Sequence, residues 1–176
     1  MTFRQDPRTS AVPEADRLSR TSWAWLVATF FGVGFLRPAP GTWGSAAGLV
    51  LWWLVARFLM PIEWQWLGAS LIAALLVVVG IPAATIVERE SGGTDPSHIV
   101  IDEVAGQLIA LVAVPLRWQY VILSFILFRS FDTLKPSPCR RLQNLHGGTG
   151  VVLDDLGAGL YTLVIMQVLV RLQLVG

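Results

Sequence analysis

From Ile99 to the C-terminus the chain carries only five acidic residues: Asp102, Glu103, Asp132, Asp154 and Asp155. Each sits at the edge of a long apolar segment, in the strings IVIDEVAGQ, FRSFDTLKPSP and HGGTGVVLDDLGAG. A carboxylate is costly beside a bilayer's hydrocarbon, so acids gathered at such edges bind a cation, pair with a base or do chemistry. Arg129, Lys135 and two Gly-rich stretches lie close by in sequence. Together they point to a metal-dependent site that acts on a phosphorylated lipid.

Asp102 and Glu103 open a predicted helix, where negative charge also offsets the helix dipole. Adjacent helical residues diverge by about 100°, so one of the two is expected to ligate an ion while the other orients it or acts as a base. Glu103 and Gln107 are four apart and share a face. Arg129, Asp132 and Lys135 recur every three residues, on one face of a helix that Pro136 stops. A simple intrahelical ion pair is the plainer reading of that triplet, but it lies directly beyond an apolar run, where unpaired charge is expensive. Asp154 could cap the last helix with Asp155 in its first turn. A cap needs one acid, however, and two in tandem, followed by Gly157 and Gly159 that would open space beside them, favour an ion site. His98 reads as a surface loop residue.

Upstream, FGVGFLRPAPGTWGS (31–45) has Arg37 where a dinucleotide fingerprint needs its third Gly. Thr42 or Ser45 can cap the helix that follows, and backbone N–H groups there, with Arg37, could form an anion site. An ordinary capped turn explains the same residues. A carboxylate-rich donor set without thiols, with His146 at most peripheral, indicates a hard cation, Mg²⁺ first. Such an ion can offset the charge of a phosphomonoester and activate a water.

The elements that must position these residues are apolar helices. The 176-residue chain is 54% hydrophobic and 14% charged, with eight Trp, far more apolar than a soluble domain. Its net charge of +1 argues against nucleic-acid binding, which needs a basic field. Cys139 is the single cysteine, so intrachain disulfides and thiol-rich metal sites are out. A tyrosine-phosphatase-like loop would need Arg six positions later, where Leu145 stands.

Residues 1–22 read as a polar, disordered tail and 23–176 as a single membrane-embedded domain. The tail has no apolar stretch of the kind a cleaved secretory signal needs. Trp23–Leu36 is too short to span about 30 Å of hydrocarbon and reads as an interfacial or re-entrant helix. Trp43–Met60, Trp66–Val87 and Leu156–Val175 have spanning length, the last with Arg171 able to snorkel. Val104–Phe128 is long enough for one span, but Pro115-Leu-Arg-Trp-Gln-Tyr120 interrupts it. A Pro, an Arg and two interfacial aromatics read as a hairpin tip at headgroup level. The fold class is therefore an all-α, multi-pass membrane bundle of four to five apolar helices plus the short N-terminal one. With the hairpin, loops 37–45, 88–103 and 129–155 face one side. That side carries ten Lys and Arg against Arg57, Arg117 and Arg171 opposite, which places the motifs in the cytoplasm by the positive-inside rule.

PAPGTWGS, IVIDEVAGQ, FRSFDTLKPSP and HGGTGVVLDDLGAG, in this order and at these spacings, resemble the phosphatidylglycerophosphatase A family of bacterial inner-membrane lipid phosphatases. The likeness covers about Phe31 to Gly159. It implies Mg²⁺-dependent hydrolysis of phosphatidylglycerophosphate to phosphatidylglycerol and inorganic phosphate at a cytoplasmic-side site. The family's acids fall on Asp95, Asp102, Glu103, Asp132, Asp154 and Asp155, its bases on Arg129 and Lys135, and its His-Gly-Gly on 146–148. Val104 departs from it, since Phe often follows the Asp-Glu pair there. On this resemblance Glu103, Asp132 and Asp155 are expected on the metal, with Asp102 as base or outer support, Asp102 and Asp154 as further candidate ligands and catalytic acids, and Arg129 and Lys135 on phosphate. The anion site read at 37–45 adds Arg37, Thr42 and Ser45 as phosphate contacts, with His146 of the Gly-rich loop. Two other readings are a headgroup phosphotransferase, whose long Asp-Gly…Asp signature is missing, and a small ion transporter, whose acids would lie spread across the bilayer depth.

Overall fold

The computed structural model describes residues 20–93, 95–137, 139–142 and 147–173. Most of the N-terminal tail and His146 therefore lie outside the described residues. Helix α1 (Ser22–Ala28) is followed by a left-handed run at Phe30, Phe31 and Gly32 and a single 3₁₀ turn, Val33–Phe35. It is far too short to span. Instead α1 is pinned to the end of α3 (Gln65–Ser91) by Glu90. That carboxylate accepts hydrogen bonds from the Thr21 backbone N–H at 3.1 Å, the Thr21 hydroxyl at 2.5 Å and Trp25 Nε1 at 2.6 Å.

Helix α2 (Pro40–Leu54) starts with Pro40 at its first position, where a fixed φ and a missing N–H cost nothing. Ala39 is its N-cap, with no side-chain cap, so neither Thr42 nor Ser45 plays the capping part that the sequence allowed. Ser45 lies a turn inside and its hydroxyl donates to Gly41 O at 2.9 Å. Helix α2 runs on into a π turn, Val55–Leu59. Pro40–Leu59, Gln65–Ser91 and Gly148–Arg171 are long and apolar enough to cross a membrane.

The ambiguous stretch is a hairpin. Helix α4 (Ile101–Ala110) ends, the chain turns through residues 111–117, and α5 (Trp118–Leu134) returns. Only ten residues long, α4 is enclosed by α2, α3, α5 and α7 (Gly148–Arg171). Ile101, Asp102, Val104, Ala105, Gly106, Gln107, Leu108 and Ala110 are all buried. Leu108 and Leu111 join Trp52, Tyr120 and Met166 in the largest apolar cluster. The outer faces carry exposed Leu71, Leu75, Val78, Ile122, Ile126, Val164 and Val168, a surface suited to lipid tails.

Small residues set how closely α4 is approached, as is usual between membrane helices. A Cβ on Gly48 of α2 would stand 3.0 Å from Gln107 Cβ and from Val104 O. A Cβ on Gly159 of α7 would meet Gly106 O at 2.5 Å, and one on Gly106 would meet Asp155 O at 2.7 Å. The α4–α7 crossing is thus glycine on glycine, directly beside the acids. The short helix α6 (Cys139–Leu142) lies against α7, with Cys139 Sγ filling the space a Cβ on Gly157 would need. Gly157 and Gly159 therefore do not open space beside the acids, as the sequence suggested; neighbouring elements occupy it. Burial pushes the Cys139 thiol pKa up, which keeps it an unreactive packing residue.

Candidate active site

The first turn of α4 and the second and third turns of α7 meet at one end of the bundle. Asp102 and Glu103 occupy the start of α4 as the sequence indicated. Helix α7, however, starts at Gly148, eight residues before the apolar run that marks it in sequence. Asp154 and Asp155 are therefore well inside the helix, cap nothing, and are both buried. The explanation of those acids as helix caps is removed.

Asp102, Glu103 and Asp155 each present a carboxylate oxygen, and the three atoms lie within 4.8 Å of one another. The expected divergence of Asp102 and Glu103 does not hold at their carboxylates, because the longer Glu side chain reaches round the helix to the same point. Asp102 Oδ1 and Glu103 Oε2 are buried and have no hydrogen-bond partner. Three like charges this close, with unpartnered oxygens, are unfavourable unless a cation sits among them or protons are taken up. The all-oxygen donor set fits a hard cation. Gly41, at the start of α2, lies against this cluster: a Cβ there would collide with Glu103 Oε1 and come within 3.3 Å of Arg129 Nη1.

Arg129 reaches the edge of the trio at Glu103. Its Nη1 is 2.6 Å from Asp132 Oδ2, 3.3 Å from Ser45 Oγ and 4.0 Å from Glu103 Oε1. The i,i+3 spacing of Arg129 and Asp132 thus forms the pair that the plainer sequence reading offered, but at the rim of the carboxylate cluster rather than on a free surface. Asp132 also lies beside Asp155. Ser45 is fully buried behind Arg129 and engaged at both lone pair and proton, so it positions the guanidinium and does not face outward.

Lys135 ends α5 in the left-handed conformation (φ 44°), as the residue after a helix often does. Its ammonium pairs with buried Asp154. Burial is the largest single influence on Lys135 and lowers its pKa. The hydrogen bond and charge of Asp154, with Asp155 and Asp132 behind it, outweigh that and hold it above the ordinary lysine value. Asp95 is exposed on the α3–α4 loop, its N–H donating to Glu88 Oε1 at 2.9 Å. Arg37 is exposed on the loop before α2 and has no ion-pair partner among the described residues, while Thr42 lies half-buried in the first turn of α2. His98 is held in a stack, 4.9 Å from the Trp25 ring and 5.9 Å from Phe35.

The acids, Arg129 and Lys135 thus come from the three motif regions that sequence singled out, and the match to known proteins covers the same stretch. The model of the phosphatidylglycerophosphatase A family matches residues 26–170. The chain belongs to this family. Among curated relatives, a Bacteroides thetaiotaomicron protein named "Putative phosphatidylinositol-3-phosphatase" is 42% identical over 147 residues, covering 81% of this chain and 91% of that one. The phosphatidylglycerophosphatase A of Haemophilus influenzae is 36% identical, covering 80% and 85%. That of Escherichia coli is also 36% identical, covering 81% of each chain. No solved structure matches.

Gln107, noted in sequence only for sharing a face with Glu103, is fully buried beneath the cluster. Its amide donates to Ser124 at 3.1 Å while Oε1 has no partner. Gly41 and Gly106 carry no chemical signature in the sequence. Their part is to let α2 and α7 approach, and only tertiary contact reveals it.

Proposed function

We propose that the chain hydrolyses the terminal phosphomonoester of phosphatidylglycerophosphate to phosphatidylglycerol and inorganic phosphate, at the cytoplasmic face of a bacterial inner membrane. The observation that supports this best is the Asp102–Glu103–Asp155 cluster at one end of a membrane-type bundle, in a member of this family. Those three carboxylates would hold Mg²⁺, which when bound offsets phosphate charge and lowers the pKa of a water. Arg129, poised among Asp132, Ser45 and Glu103, supplies positive charge to the transferring phosphoryl oxygens. Asp132, oriented by Arg129, accepts a proton from the attacking water. Water oxygen forms the new bond to phosphorus, the bond to the glycerol oxygen breaks, and the proton taken from water is returned to that oxygen. Lys135 keeps buried Asp154 paired and adds positive charge at the rim, while Arg37 and Thr42 flank the approach for the headgroup.

The gathering of Asp102, Glu103 and Asp155 at one end, instead of along the bilayer depth, argues against ion transport. The name of the Bacteroides relative raises a second lipid phosphomonoester, with the phosphate on an inositol ring. Phosphate release by purified protein from phosphatidylglycerophosphate and from phosphatidylinositol 3-phosphate, with Mg²⁺ and with chelator, tests both. We expect metal-dependent turnover of the glycerol lipid and a loss of at least about a hundredfold in Asp132→Asn, the scale of removing one key polar group. Turnover of only the inositol lipid would reassign the substrate. No release from either by folded protein would overturn the reading.

A further inference from the structure

The end of the bundle remote from the carboxylates holds a second built feature. Helix α2 leaves Gly41 beside Glu103 and reaches Val55 some 20 Å further along its axis at about 1.5 Å per residue. Trp118 of α5 lies about 16 Å from Arg129 along the same helix. Between these ends opens a cleft of about 500 Å³, walled by Trp53, Val121 and Ile122 and flanked by Arg57, Arg117 and Trp118.

Both guanidiniums stand clear of the described acids. Among the described residues neither Arg57 nor Arg117 is within 4.0 Å of a carboxylate. The only acid of this end, between Leu49 and Val79, Ala105 and Phe125, or Leu163 and Gln173, is Glu63. Both side chains are exposed at the rim of the cleft, so two guanidiniums remain open to an anion that an apolar trough adjoins.

Arg57 is also aimed. It lies in the π turn Val55–Leu59, a form that costs helix hydrogen bonding and concentrates at functional sites. Gln65 Nε2 donates to Ala56 O at 2.8 Å across that turn. The Arg57 guanidinium lies 5.6 Å over the Phe58 ring, and Phe58 stands edge-on to Trp53 at 5.6 Å. This ladder holds a positive charge at the mouth of an apolar trough. Trp118 is 70% exposed, the most of any tryptophan described, as suits an indole at headgroup depth.

We infer that this cleft binds one anionic phospholipid of the leaflet opposite the carboxylate cluster, its phosphodiester between Arg57 and Arg117 and an acyl chain along Trp53, Val121 and Ile122. The apolar walls require a chain as well as a charge, which commits the site to a lipid rather than free phosphate. The inference does not depend on the phosphatase reading.

Quenching in nanodiscs tests it. Full-length protein is reconstituted in phosphatidylcholine containing a minor fraction of either phosphatidylglycerol or phosphatidylcholine, brominated close to the headgroup on identical chains. Emission lost between wild type and Trp118→Phe isolates the signal of the cleft. Brominated phosphatidylglycerol should quench that signal at about tenfold lower lipid fraction, the scale of two interfacial arginines facing one anionic headgroup. In R57Q/R117Q, with an unchanged size-exclusion profile, the preference should vanish, and R57Q or R117Q alone should reduce it to about threefold. Equal quenching by the two lipids in wild type would overturn the inference. So would a preference that survives in the double variant, or protection from both lipids by a second copy of the chain.

Discussion

Asp154 and Asp155 are neighbours on one helix turn, yet they have different reasons to exist. Asp154 is paired with Lys135, whose raised pKa keeps the ammonium charged throughout the neutral range. By linkage, a base whose pKa rises on folding contributes stability that is present below the ordinary lysine value and is lost only as pH climbs through the folded one. Among the described residues Asp155 has no salt-bridge partner, and it instead faces Asp102 and Glu103. Asp155→Asn should therefore raise the melting temperature in chelator, by about 2–4 °C for each kcal/mol of repulsion relieved in a chain this size. It should also abolish most of the upward shift that Mg²⁺ gives wild type, a shift worth about 2.7 kcal/mol at a hundredfold excess over Kd. Asp154→Asn should lower the melting temperature with or without Mg²⁺, because it weakens a buried pair. Thermal melts of the three proteins in chelator and in Mg²⁺ decide the matter. An Asp155→Asn variant that melts below wild type in chelator would mean the trio is a structural network with no need of an ion.

Those residues meet because α4 and α7 cross glycine on glycine. Gly159→Ala puts a methyl 2.5 Å from Gly106 O, and since that atom is backbone, the helices themselves must part. Such a shift carries Asp155 away from Asp102 and Glu103, and displacement by about 1 Å at a catalytic group can cost a hundredfold in rate. We expect Gly159→Ala to lose about ten- to a hundredfold in phosphate release and to need more Mg²⁺ for half-maximal rate. Gly93→Ala, with open space around it, should match wild type in both measurements. Equal behaviour of the two variants would show that the crossing does not set the geometry of the site. This dependence on close approach also explains what sequence could and could not reveal. Pro115, Arg117, Trp118 and Tyr120 announce the α4–α5 hairpin, because a charge and a ring-locked φ cannot sit mid-span at low cost. The acids themselves stand out against an apolar background. The true start of α7 does not, since Gly148-Thr-Gly150 are poor helix formers that tertiary packing against Thr85 and Ala84 makes helical. Nor does the convergence of Asp102 with Glu103, which depends on side-chain length and on the floor provided by α7.

At the scale of the whole molecule, the placement of charge gives a testable orientation of the bundle in the bilayer. The starts of α2, α4 and α7 and the end of α5 lie at the carboxylate end, whereas the turns after α2 and α4 lie at the other. Arg37, Arg89, Arg129, Lys135 and Arg140 belong to the first end; Arg57, Arg117 and Arg171 belong to the second. If the positive-inside rule governs this bundle, the carboxylates face the cytoplasm. Cys139 is buried and leaves single introduced thiols readable. Gly93→Cys, on the exposed α3–α4 loop, should react with a membrane-impermeant maleimide in inverted vesicles and not in intact spheroplasts. Glu63→Cys, exposed before α3, should show the opposite pattern. If both sites label from one side, α3 does not cross the membrane and the three-span bundle is wrong. If the pattern is reversed, the site faces outward, and the substrate would have to be supplied from the other leaflet.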